Sequence, residues 1–159
     1  TIETGSGKGA YRHPAPVVHG LWPQTQGFGD SQCIAPRSSP AAPRRVHSCY
    51  EQEGESQRQL LGFERHEWEK HGTCAGAANE ADFFSQVCSL AAGPLRVVAG
   101  AKAADLDLVD TVQALERAGY CVWHTGAWNS EVQLSACAGR NGQWILADPA
   151  AFQQVCGSG

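Results

Sequence analysis

Seven cysteines in 159 residues constrain the fold of this chain more than any other feature. Cys33, Cys49, Cys74, Cys88, Cys121, Cys137 and Cys156 are scattered along the whole length. Zinc sites favour close pairs such as C-x-x-C, and the chain has none. Scattered cysteines fit disulfides formed in an oxidising compartment instead. The odd count leaves at least one thiol unpaired or intermolecular, and spacing alone does not fix the connectivity.

The length suits a single domain, 1–159, with one core. No run of 18 apolar residues is present, so no membrane span and no membrane partner is expected. The chain has no Met, not even at position 1, and no targeting segment, so it reads as a processed product or a fragment. The formal net charge of −4 excludes a strongly basic nucleic-acid binder at pH 7. Six histidines qualify that exclusion: protonating all of them brings the charge to about +2, which favours a polyanion under acidic conditions.

Residues 1–16 show little periodicity and are expected to be loose. VVHGLWP at 17–23 starts as a strand and stops at Pro23. Residues 24–48, rich in Gly, Pro and Ser, read as a long loop. Helices are expected at 56–72, ended by Gly72 as the C′ residue; at 80–92, capped by Asn79; and at 107–118, ended by Gly119. In the third, Leu108, Val109, Val112 and Leu115 share a face. YCVW, EVQLSACA and GQWILAD then read as strands separated by Gly/Asn turns. Helices in the middle and strands toward the end predict an α+β fold with a mostly antiparallel central sheet flanked by helices, stapled by disulfides.

FERHEWEKHGTC, 63–74, concentrates titratable chemistry on the first helix. With Phe63 at zero, Glu67 lies at about 40°, Lys70 at about −20°, His71 at about 80° and His66 at about −60°. Trp68 and Leu61, on the far side, are expected to bury while this stripe faces out. A solvated face with i,i+4 pairs such as Glu67–His71 is the plainest explanation. A zinc-protease helix needs histidines four apart, and His66 and His71 are five apart, so that class is excluded on geometry. The remaining reading is acid–base work on a phosphate. Two histidines exchange protons near their ordinary pKa, and a lysine stabilises charge on phosphoryl oxygens. A carboxylate can orient an imidazole and raise its pKa. A partner for this chemistry occurs in VVHGLWPQ, 17–24, where His19 is followed by Gly20, which permits close backbone approach, and by Trp22.

Together, HGLWP at 19–23 and F-x-x-H-E-x-x-K-H-G-x-C at 63–74 resemble, in the same order, the two active-site segments of the ribonuclease T2 family. Weaker similarity runs through ALERAG, Cys121 and EVQLSAC, so the resemblance covers roughly 17–156. It implies a metal-independent, cofactor-free endoribonuclease, favouring acid, that cuts single-stranded RNA and not DNA. The product is a 2′,3′-cyclic phosphate, then a 3′-phosphate. By the same resemblance His71 is the general base, His19 the general acid, His66 a phosphate ligand, and Glu67 and Lys70 stabilise the phosphoryl group. Trp22 packs on the nucleotide 5′ of the scissile bond and Phe63 lines the pocket on its 3′ side. The attacking group belongs to the substrate, so no Ser or Cys nucleophile and no metal is required.

The resemblance also implies a bridge from Cys74 to Cys33, or alternatively to Cys49, and a C-terminal bridge Cys121–Cys156. The chain departs from the family in two places. Only 18 residues precede His19, fewer than the family's sheet-completing N-terminal segment, so a short or trimmed N terminus is expected. Gln24 stands where many members carry a base-selecting Asp, and an amide both donates and accepts. Phe28, in the following loop, is a candidate stacking wall, with a loop anchor as the alternative. A monomer is expected. Two other functional classes compete: a secreted binding or signalling protein on the same fold, and a toxin module cut from a larger protein.

Overall fold

A computed structural model describes residues 1–24, 42–139 and 141–157. The chain divides into two compact units, Thr1–His19 with Leu90–Gly159, and Gly20–Ser89.

In the first unit, strands β1 (Ile2–Glu3), β2 (Val17–Val18), β3 (Val122–Gly126) and β4 (Glu131–Leu134) form one antiparallel sheet in the order β2-β1-β4-β3. The N-terminal residues expected to be loose therefore hold an interior strand. Ile2 pairs with Val18 and Val132, and Glu3 with Val17 and Glu131. Side chains alternate between faces along a strand. Ile2 and Val132 thus share one face, and both are buried with Val98 and Leu115, against Leu95, Leu108 and Val112. A second, two-stranded antiparallel sheet pairs β5 (Ala136–Ala138) with β6 (Trp144–Leu146).

Helix α3 (Leu108–Arg117) starts where Asp107 accepts from the Asp110 amide at 2.8 Å. It ends before Gly119, whose φ of +88° is costly for other residues. Its face is narrower than expected: Leu115 has no exposure, but Val109 is 64% exposed.

The second unit holds α1 (Gln57–Lys70) and the start of α2 (Glu80–Ala103). Ser56 and Gln59 form a capping box at the start of α1. Gly72 does not act as a left-handed C′ residue; its φ is not positive, and the chain continues into a 3₁₀ turn, Gly72–Cys74. Its requirement is steric instead: a Cβ there would lie 2.3 Å from the Trp68 ring and 3.0 Å from Phe83. Trp68, Phe83, Phe84 and Tyr50 form the buried aromatic core of this unit, with ring centroids 5.0–5.7 Å apart in successive pairs.

Asn79 caps α2 as expected, accepting from the Asp82 amide at 2.9 Å. The helix, however, runs through Gly93 and Pro94 to Ala103, beyond the expected stop at 92. Burial of Val98 and Ala101 outweighs the hydrogen bond that Pro94 cannot make. By length and composition α2 could cross a membrane; 39% of its apolar window is buried, with Phe84 and Val98 fully so.

Cys49 bridges Cys88, and Cys137 bridges Cys156. The expected Cys121–Cys156 bridge is thereby corrected, and among the described residues Cys121 is a free thiol, half-buried. Helix α4 (Phe152–Val155) packs on β5, which brings the Cys137 and Cys156 Cα atoms to 6.1 Å, within bridging range. Cys49 is likewise corrected as the alternative partner of Cys74. Cys74 is disulfide-bonded, and Cys33 lies outside the described residues. The architecture is α+β with antiparallel sheet and disulfide staples, as the sequence implies.

Candidate active site

Helix α1 carries Phe63, His66, Glu67 and Lys70, and His71 is its C-cap. The stripe does not simply face out. His66 and Lys70 are exposed and Phe63 is half-buried, but Glu67 has no exposure and His71 only 7%. Trp68 is buried as expected, whereas Leu61 is only half-buried. The buried side of α1 is set by Leu60, Glu64, Glu67 and Trp68, so two carboxylates lie on the apolar side of the helix.

A buried carboxylate needs donors. The Trp22 indole N–H donates to Glu67 Oε2 at 2.9 Å, and the Trp22 ring lies 5.4 Å from the His71 ring at a 33° tilt. Gly20 makes room for this arrangement. A Cβ at that position would fall 2.1 Å from Glu67 Oε2 and 3.1 Å from Trp22 Nε1. Trp22 is thus half-buried with its N–H engaged, rather than a bare face. Gln24 is exposed, and Phe28 lies outside the described residues.

Glu64, Tyr50 and His47 are site neighbours that sequence reasoning missed. Glu64 accepts from the His47 amide at 2.7 Å and faces His47 Nδ1 at 3.3 Å, while the His47 ring stacks on Phe84 at 4.8 Å. Burial still outweighs these contacts and holds the Glu64 carboxyl above its ordinary pKa. The Tyr50 phenol is pushed well above its ordinary value by burial first, then by Glu67 and Glu64. It remains a protonated donor at any working pH. Nothing in the sequence marked Glu64 as different from its solvated neighbours Arg65 and Glu69.

His19, in the first unit, sits against two further carboxylates. Its Nδ1 is 2.9 Å from Glu3 Oε1 and 3.7 Å from Glu131 Oε2. The second Glu3 oxygen is 2.9 Å from His13 Nε2. Asn129 and Gln133 side-chain amides each donate to Glu131 at 2.8 Å. Burial pushes the Glu131 carboxyl up, but the His19 imidazole and the Gln133 amide outweigh it and hold the group below its ordinary value. Glu3, His19 and Glu131 also form a convergent set of ligand-type atoms among the described residues, all within 4.8 Å. Glu3 and Glu131 were not recognised from the sequence, because only the strand register brings them together.

An α+β, disulfide-stapled chain with a histidine on a carboxylate pair and a second histidine beside a buried glutamate–indole pair has the parts of an acid–base catalyst. A family model described as the ribonuclease T2 family matches residues 10–95, more than half of the chain. The chain belongs to that family. It is 42% identical over 74 residues to an Aeromonas hydrophila protein named "Ribonuclease", a match covering 46% of this chain. The matched region spans 30% of that relative's length. No solved structure matches the chain.

Proposed function

We propose that the protein is an endoribonuclease that cleaves single-stranded RNA through the substrate's own 2′-OH. The observation that carries this reading is α1, which buries Glu67 and His71 while presenting His66 and Lys70 to solvent. A merely solvated charged face would not bury its carboxylate and its histidine.

In the proposed reaction His71 takes the 2′-OH proton, and the 2′-oxygen bonds to phosphorus. The bond from phosphorus to the 5′-oxygen breaks as His19 protonates that leaving oxygen. The product is a 2′,3′-cyclic phosphate. Water then opens it to a 3′-phosphate with the histidine roles exchanged. His66 and Lys70, both exposed cation-capable groups, bind and neutralise the phosphoryl oxygens. Glu67, fixed by the Trp22 indole, supports the phosphoryl group and the adjacent His71. Trp22 flanks the nucleotide 5′ of the scissile bond and Phe63 the base on its 3′ side, with Gln24 and Phe28 as secondary contacts. DNA has no 2′-OH and stays intact. No cofactor or metal takes part. Acidic pH, which charges the histidines, favours the reaction on a monomer. The bridges Cys49–Cys88 and Cys137–Cys156, with the disulfide-bonded Cys74, are consistent with an oxidising, secreted setting.

The test is incubation with single-stranded RNA and the matching DNA near about pH 5 in excess chelator. RNA alone should be cut, at an unchanged rate when the chelator is omitted. Intact RNA from folded protein would refute the reading and bring a binding role forward. Loss of activity on chelation would bring a metal into the mechanism.

A further inference from the structure

The sheet of the first unit contains a pair that folding alone does not favour. Glu3 and Glu131 stand directly opposite one another on adjacent antiparallel strands, and both are buried, at 7% and 3% exposure. Like charges directly opposite destabilise a sheet, and burial adds to the cost. Their neighbours on the other face, Ile2 and Val132, show that apolar pairs suit this register.

The strand period explains what the pair faces. Val17 is paired with Glu3, and His19 follows Val17 by two residues, so His19 emerges on the carboxylate face. The ladder continues to hold it there, because the His19 amide donates to the Thr1 carbonyl at 3.0 Å. Gln133, two residues after Glu131, shares that face and donates to Glu131 Oε1 at 2.8 Å.

We infer that Glu3 and Glu131 are positioning residues for His19, fixing its imidazole through Nδ1 so that proton donation falls to Nε2. This rests on the proposed role of His19 as the acid. An ionised carboxylate only accepts, so the Nδ1 that faces two of them must carry a hydrogen. Nε2 is then the nitrogen that exchanges a proton with the leaving oxygen. Among the described residues, the charged groups facing the imidazole include Glu3 from β1 and Glu131 from β4, with His13 on the outer oxygen of Glu3. His13 ties down the second Glu3 oxygen and so fixes which oxygen His19 meets. Asn129 and Gln133 do the same for Glu131. The two carboxylates favour the imidazolium that a general acid must be before it acts.

The experiment is a side-chain NMR titration of His19 in the intact chain and in Glu3→Gln and Glu131→Gln, paired with pH profiles of kcat and KM on a dinucleoside phosphate. Each glutamine variant keeps shape and removes one charge. The His19 titration midpoint should fall by about one pH unit in each. The alkaline limb of kcat should move down with it, about tenfold in rate on that side, with KM nearly constant. Glu3→Asp, which keeps the charge, should restore part of the midpoint. An unchanged His19 midpoint in both glutamine variants would overturn the inference, whatever the activity. A lowered midpoint in a protein that cuts no RNA would uphold the positioning and sink the catalytic role. If one variant does not fold, the other and Glu3→Asp decide the matter by the same midpoint.

Discussion

Glu131 in the first unit and Glu64 in the second are both buried glutamates beside a histidine, and their carboxyls are displaced in opposite directions. Burial pushes both up. For Glu131, the His19 imidazole and the Gln133 amide outweigh burial. For Glu64, with no exposure at all, the His47 amide and ring do not. The difference shows how the partners of a buried carboxylate decide its charge. Glu131 stays ionised and can hold a cationic imidazole. Glu64 binds its proton more readily and serves to anchor the His47 segment against α1.

The largest effects should come from removing either histidine to which proton transfer is assigned in the proposed reaction, His19 or His71. His19→Ala and His71→Ala should each lower RNA cleavage by about 10²–10⁴-fold with the fold retained, as read from product formation and circular dichroism. Wild-type rates in both would dismantle the proposed mechanism.

Next is Glu64→Ala, which removes the carboxylate that the His47 amide and Nδ1 both face. It should destabilise the protein by about 3 kcal/mol in urea unfolding. A change below about 0.5 kcal/mol would mean the His47 anchor is dispensable.

Gly20→Ala should follow, at about 2 kcal/mol, because the added methyl would meet Glu67 Oε2. It should also slow cleavage by displacing the Trp22–Glu67 pair. An unaffected rate would show that this pair is not needed in place.

The smallest effect sharpens the comparison itself. Glu131 has a lowered folded pKa. Its contribution to stability is present above the ordinary value of 4.5 and is lost as pH falls through the folded value. Glu64 has a raised folded pKa. Its contribution is full below 4.5 and is lost as pH rises through the folded value. Glu131→Gln should therefore flatten the acid side of the stability curve, and Glu64→Gln the side above 4.5. Equal flattening on one side by both would erase the contrast.

Much of the fold was legible because local signals agree with it. Asn79, Asp107 and Gly119 mark helix ends by chemistry that depends on few neighbours. The α2 extension was missed because Pro94 is a local breaker that tertiary burial overrides. The α1 stripe was legible as a set of residues but not as a depth profile. Periodicity gives angles, and only packing decided that Glu67 and His71 turn inward while His66 stays out. The Glu3–Glu131 pair was illegible for another reason. The two residues lie far apart in sequence, and β1 is two residues long with no period to read. The bridge from Cys156 to Cys137 rather than Cys121 depends on where α4 lands, which spacing does not encode.

The most direct measurement uses a DNA oligonucleotide carrying a single ribonucleotide, incubated with the protein in excess chelator, with both new ends identified by mass. One cut is expected, immediately 3′ of the ribonucleotide, leaving a 2′,3′-cyclic phosphate on it and a 5′-hydroxyl on the other fragment. Cleavage elsewhere in the DNA, a 3′-hydroxyl end, or no cut by folded protein that is otherwise competent to bind the strand would contradict attack by the substrate's 2′-OH.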